Sequence, residues 1–196
     1  MTEIPVERID AFARQLMVKS GNPGHSYEHV RRVYEISKRV GTLLNADMRV
    51  LSAAALLHDI GREREEETGI SHSILSGQMG EEILKKVGFS NAEIEHVKSV
   101  IRTHRFSEGL EPDSLEGKIL SDADKLDALG AIGVFRAISR ASSRGDGIEG
   151  FLRHADEKLL KLRDLMYTDI AKEIAEERHS ILEAFVSELR TETKAP

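Results

Sequence analysis

The chain has 196 residues, 40% of them hydrophobic and 32% charged, a composition that excludes an extended disordered protein and suits one globular domain. Its 28 Lys and Arg against 34 Asp and Glu leave a net charge of −6, which excludes a protein built to coat nucleic acid non-specifically. The lack of any cysteine excludes a disulfide scaffold, a thiolate-held structural zinc and a cysteine nucleophile.

The hydrophobic pattern predicts helices throughout. Ile4 to about Lys19 places Ile9, Phe12, Ala13 and Leu16 on one face, and Asn22-Pro23-Gly24 breaks that helix. The segment from about Ser26 to Leu44 carries Val33, Ile36, Val40 and Leu43 at steps of three and four. Asn45 ends it, and Asp47 can cap a helix that runs to about His58. Gly61 and Gly69 then bracket an acidic loop containing arginines. Ser71 opens a helix closed by Gly88, and Ser90 caps another that reaches about His104. A loop with Gly109 and Pro112 leads to two short helices, 115–128 and 131–140. Residues 140–150, rich in Ser and Gly, read as a mobile loop, followed by helices over 151–165 and 168–191. No strand-like alternation or long linker interrupts this pattern. The expected architecture is a single all-α helical bundle over residues 1–196, with its functional core at 25–140 and C-terminal helices at 151–191.

The N-terminus lacks a basic segment followed by an apolar one, so it does not read as a secretory signal. No apolar run approaches the roughly 20 residues needed to span a bilayer. A cytoplasmic protein with no membrane partner is expected, and nothing in the sequence opposes a homodimer.

Four polar residues stand where the helical pattern expects core. His29 shares a face with Val33, Ile36 and Val40, and His58 with Leu51 and Ala54. Asp59 is rotated about 100° from His58 on a helix, so the two can converge only near a helix end, which Gly61 supplies. Asp124 lies one turn after Leu120. Each residue alone has a plainer explanation, as a hydrogen-bonded core histidine or a capping aspartate. Taken together, two buried carboxylates need compensation, and a divalent cation provides it.

The surrounding text adds a resemblance. S-Y-E-H-V-R-R-V around His29, A-A-A-L-L-H-D-I-G around His58 and Asp59, and K-I-L-S-D-A-D-K-L-D-A-L-G-A-I-G around Asp124 resemble the HD-domain superfamily of metal-dependent phosphohydrolases. The chain looks most like its small bacterial and archaeal hydrolases, some of them nucleotide pyrophosphohydrolases. The resemblance implies that His29, His58, Asp59 and Asp124 hold one divalent metal ion. Manganese is the first expectation, with Fe, Ni, Co, Zn or Mg as alternatives. Relatives often have Asp after the upstream histidine, where this chain has His25-Ser26, and Ser26 can still cap the helix.

Further candidates surround these four. Arg32 shares the helical face of His29, and Lys125 adjoins Asp124; both are expected to stabilise phosphate charge, the alternative being surface salt bridges. His72 and His104 are expected at the phosphate end of the pocket, with His104 also assisting catalysis beside Asp59. Asp127 is expected to orient a ligand histidine or Lys125. Asp122 is a rival of Asp124, Glu63 a candidate acid or base, and Lys118 a weaker candidate. Glu65, Glu66 and Glu67 read as solvated, and His154 and His179 as surface residues. Because no His-His pair is present and Arg62 replaces the lysine of H-D-x-G-K, the site reads as mononuclear.

The expected function is hydrolysis of a small phosphorylated substrate, a nucleotide, either as a nucleoside triphosphate pyrophosphohydrolase or as a nucleotidase. Two alternatives stand beside it. One is a phosphodiesterase of a cyclic or linear dinucleotide, opposed by the missing His-His pair. The other is a non-catalytic nucleotide-sensing HD module, which would be expected to have lost ligands that this chain retains.

Overall fold

A computed structural model of the chain describes residues 5–17, 26–105 and 108–194. Among them are ten α-helices, a 3-10 helix over Leu159–Leu165 and no strand, so the protein is all-α. Asn22-Pro23-Gly24 and His25 lie outside the described residues. The chain forms two compact units, Met1–Ala123 and Asp124–Pro196.

In the first unit the helices are α1 (Val6–Met17), α2 (Tyr27–Leu43), α3 (Met48–Leu57), α4 (Arg62–Thr68), α5 (His72–Lys86) and α6 (Asn91–Thr103). Helix α7 (Leu115–Asp127) begins there and carries the boundary. The unit is built around α3. Every residue from Val50 to Leu57 is buried, and a helix apolar on all sides must be enclosed by its neighbours. Helices α1, α2, α5 and α6 pack against it. Asp47 caps α3 by accepting from the amides of Arg49 and Val50, as its position predicts. Ser90 and Glu93 form a reciprocal capping box on α6. Ser26 occupies the cap position of α2, but its side chain makes no capping bond there. Leu43, expected on the buried stripe of α2, is 60% exposed because it is the last helical residue and lies beyond the packed face.

The glycine-bracketed segment is not a loop. Residues 62–68 form helix α4, closed by Gly69 in the left-handed conformation at φ 71. The Arg and Glu residues between the two glycines are good helix formers, so the glycines terminate a helix instead of flanking a coil.

The second unit contains the end of α7, α8 (Gly130–Arg144), α9 (Gly147–Glu157), a 3-10 helix (Leu159–Leu165) and α10 (Asp169–Lys194). The expected mobile loop over 140–150 is absent. Helix α8 continues to Arg144, and the reversal is confined to Gly145 and Gly147, at φ 74 and 59, with Asp146 between them. Ala141 is buried in register with Val134 and Ala137, so tertiary burial outweighs the weak helix preference of the serines. The predicted 151–165 helix divides at Lys158, where the chain tightens into 3-10 geometry. His179 is not a surface residue: at 5% exposure it falls in the buried register of Ala171, Ala175, Leu182 and Val186.

His154, on α9, is pushed down to about 4 by burial, and then by Arg140, Lys158 and Arg144. A histidine depressed in the folded state takes its proton later than in the unfolded chain. Its contribution to stability is therefore complete above the ordinary value of 6.5 and is lost as the pH falls from 6.5 to 4. Thermal unfolding followed between pH 7 and 4 should show a smaller acid-side loss in His154→Gln than in the wild type. An identical loss in both would contradict the assignment.

Candidate metal centre

Four buried imidazoles of the first unit meet at one buried carboxylate. His29, His58 and His72 are 0% exposed, and Asp59 and His104 are 1% exposed. Each is delivered by an identifiable feature of the local fold. His29 lies one turn into α2, in register with the buried Val33, Ser37 and Val40. His58 is the C-cap of α3, and Asp59 follows in the turn before α4. That helix end lets adjacent residues point to one place, as the sequence required. His72 is the first residue of α5, and His104 is the C-cap of α6.

Asp59 is the hub. Its Oδ2 lies 3.6 Å from His29 Nε2 and 3.7 Å from His58 Nε2. Its Oδ1 lies 3.3 Å from His72 Nε2 and 3.9 Å from His104 Nε2. The donor atoms fall into two overlapping triads, His29–His58–Asp59 and Asp59–His72–His104, each with its atoms within 4.8 Å of one another.

The other ring nitrogens fix the tautomers. His58 Nδ1 is 2.8 Å from the Ala55 carbonyl oxygen, and His104 Nδ1 is 2.5 Å from that of Ile101. A backbone carbonyl only accepts, so both Nδ1 atoms carry the hydrogen. His72 Nδ1 is 2.8 Å from a carboxylate oxygen of Glu65 and carries it for the same reason. In the neutral form of each ring the Nε2 lone pair then faces the Asp59 carboxylate. Lone pairs and an anion at such distances repel unless a cation lies among them. This donor set, imidazole nitrogens around a carboxylate in a dry enclosure, fits a divalent metal ion.

Of the remaining candidates, Arg32 lies half-buried on α2, three residues beyond His29. Asp124 is half-buried on α7 in the second unit, and Asp122 is 1% exposed. Lys125 is 4% exposed; its ammonium donates to the Leu165 carbonyl at 2.9 Å and lies 4.3 Å from the centre of the Tyr167 ring. Asp127 accepts from Arg136 at 2.8 Å. Glu63 is exposed.

Sequence reasoning missed three residues around the cluster. Arg62 donates to Asp59 Oδ1 at 2.9 Å. Glu65, assigned to a solvated run, contacts His72 and also accepts from Arg105 at 2.6 Å. The signal for Arg62 and Glu65 was their three-residue spacing, legible only once 62–68 is treated as a helix.

An all-α core enclosing a His-Asp pair and three further histidines defines a helical domain with a cluster that could hold a metal ion. The chain belongs to the HD-domain family, whose model matches residues 26–129. Over 190 residues it is 35% identical to YpgQ of Bacillus subtilis, covering 93% of this chain and 91% of that protein. The crystal structure of B. subtilis YpgQ in complex with ADP matches with a TM-score of 0.78 at 30% identity, over 95% of this chain and 94% of the other. A protein from an uncultured Thermotogales bacterium, described as an HD superfamily hydrolase, matches with a TM-score of 0.73 at 30% identity over 95% and 91%. An HD-superfamily hydrolase from Bacillus thuringiensis matches with a TM-score of 0.75 at 30% identity over 97% of each chain.

No described helix is long and apolar enough to cross a membrane.

Proposed function

We propose that this HD-family hydrolase is a metal-dependent phosphohydrolase acting on a nucleotide. The observation that carries the reading is the convergence of four imidazole Nε2 atoms on the buried Asp59 carboxylate. ADP in the similar YpgQ structure supports a nucleotide as the ligand class. His29, His58 and Asp59 would hold one ion, and the family pattern adds Asp124 as the fourth ligand. When bound, a divalent ion, manganese first, would polarise a phosphoryl oxygen and lower the pKa of a water.

The chain's own residues supply the rest. Asp59, bonded to Arg62, is held in one orientation and would orient the attacking water. Arg32 and Lys125 would offset charge on the transferring group. His72 and His104, buried on the Oδ1 side of Asp59, would line the phosphoryl end.

The test is a panel of nucleoside mono-, di- and triphosphates incubated with Mn, Co, Ni, Fe, Zn or Mg, with phosphate and pyrophosphate resolved. Arg32→Ala and Lys125→Ala should keep their metal by elemental analysis, while kcat/KM falls by about two to three orders of magnitude. Arg32→Lys should rescue only partly, because lysine cannot make a bidentate phosphate contact. Metal loss in step with activity loss would reassign both residues to structural support. No turnover of any nucleotide with any metal would refute the reading.

One observation favours a second reading. The triad Asp59–His72–His104 shares Asp59 with the first, and a two-ion site suits a dinucleotide phosphodiesterase. One metal per chain by elemental analysis upholds the first reading, and two per chain the second.

A further inference from the structure

The imidazoles around Asp59 are not held alike. His58 and His104 each terminate a helix, and each uses a backbone carbonyl three residues back, from Ala55 and Ile101. Such carbonyls belong to the helix itself and come with the fold. His72 begins a helix. The residue three before it is Gly69, in the left-handed conformation, so no helical carbonyl stands behind its ring. Its Nδ1 instead meets Glu65 Oε2 at 2.8 Å.

Glu65 is itself fixed. Its Oε1 accepts from Arg105 Nη1 at 2.6 Å, and Arg62 Nη1 lies 3.8 Å from Oε2. Arg105 also lies 3.5 Å from Glu108 Oε1. Short helix α4 thus places Arg62 against Asp59 and Glu65 against His72, one helical turn apart. Burial raises the Glu65 carboxyl, but His72 and Arg105 outweigh it and hold it below the usual range. In a neutral ring the shorter contact, 2.8 Å from Nδ1 to Glu65 against 3.3 Å from Nε2 to Asp59 Oδ1, favours the hydrogen on Nδ1 and leaves the Nε2 lone pair toward Asp59.

We propose that Glu65, braced by Arg105, is a positioning residue that sets the tautomer and direction of His72. Its partial burial distinguishes it from the exposed Glu66 and Glu67 beside it. A carboxylate behind an imidazole raises the basicity of the far nitrogen as well as orienting it. A backbone carbonyl does so less, because it carries no full charge. Among His58, His72 and His104, His72 is therefore the one whose donor strength a side chain controls. The consequence for catalysis rests on the phosphohydrolase reading; the consequence for the tautomer does not.

The test uses the full-length, metal-free protein labelled with ¹⁵N, at pH 7.5. Ring nitrogen correlations of His72, assigned by their loss in His72→Gln, report which nitrogen bears the hydrogen. The wild type should show the Nδ1–H form, and Glu65→Ala the Nε2–H form preferred by imidazole in water. Glu65→Gln, which keeps an acceptor oxygen, should keep Nδ1–H. With metal and substrate, Glu65→Ala should lower kcat by about 10- to 100-fold with little change in KM, and Glu65→Gln should recover part of the loss. An Nε2–H ring in the wild type overturns the proposal without recourse to any variant. So does an unchanged tautomer in a folded Glu65→Ala. If the tautomers behave as stated but no nucleotide is turned over, the positioning role stands and the phosphohydrolase reading falls.

Discussion

Asp59→Ala should abolish metal binding and reduce hydrolysis below about one-thousandth of the wild-type rate. Asp59 is the one residue common to both donor triads, and its two oxygens face four imidazoles. No neighbouring carboxylate in the first unit's cluster can replace it, since Glu65 lies on the far side of His72. The fold should survive. The change removes a buried anion whose neighbours present lone pairs to it, and Arg62, at 20% side-chain exposure, can turn to water. The metal-free variant should therefore melt close to the metal-free wild type. Only the wild type should gain stability on adding metal, by about 2.7 kcal/mol at a hundredfold excess over Kd. His58→Ala should behave similarly, with the loss confined to one triad. Paired melting curves with and without Mn, beside elemental analysis and kinetics, check the expectation. A folded Asp59→Ala protein with normal metal content and turnover would refute the assigned centre.

Gly61→Ala should unfold the site from its scaffold side. Gly61 has φ −88, so it is not required for a left-handed turn. It is required for space: an added Cβ would stand 2.8 Å from Leu75 Cβ, 2.8 Å from the Ser76 amide nitrogen and 2.9 Å from the His72 carbonyl oxygen. Two of these three are backbone atoms and cannot rotate away. The Gly61 amide also donates to Ser76 Oγ at 2.9 Å, which fastens the end of α3 to the start of α5. Relieving the clash means separating the segment that carries Asp59 from the one that carries His72. The expected cost is about 3 kcal/mol, at the upper end for overpacking, or a fall in Tm of about 6–12 °C. Gly69→Ala is the control. Nothing lies within 4 Å of its added Cβ, so only the left-handed φ of 71 is penalised, at about 1–2 kcal/mol. Equal Tm shifts for the two variants would show that close packing at Gly61 is not what matters.

The helical architecture was legible because period is a local property. The stripes of α2 and α3 and the Asp47 and Ser90 caps all follow from residues close in sequence. The errors arose where tertiary burial competes with local preference. Ala141 draws the Ser-rich segment into α8, and His179 is buried by the register of α10. Helix α4 was misread because two glycines look alike in sequence whether they flank a loop or end a helix.

The site divides along the same line. By itself the sequence determined that His29, His58 and Asp59 stand at apolar positions, that the pair lies near a helix end, and that the chain resembles the HD-domain family. Those are facts of residue type, spacing and motif. The helix ends at His58, and Gly61 opens the next one. Only the tertiary structure decided that His72 and His104 share the Asp59 carboxylate with them, and that Arg62, Glu65 and Arg105 brace it. Those residues come from α4, α5 and the end of α6, and no periodicity within one helix encodes which neighbouring helix end it will face. The tautomers were decided there too, because the acceptor behind each imidazole depends on whether that histidine opens a helix or closes one.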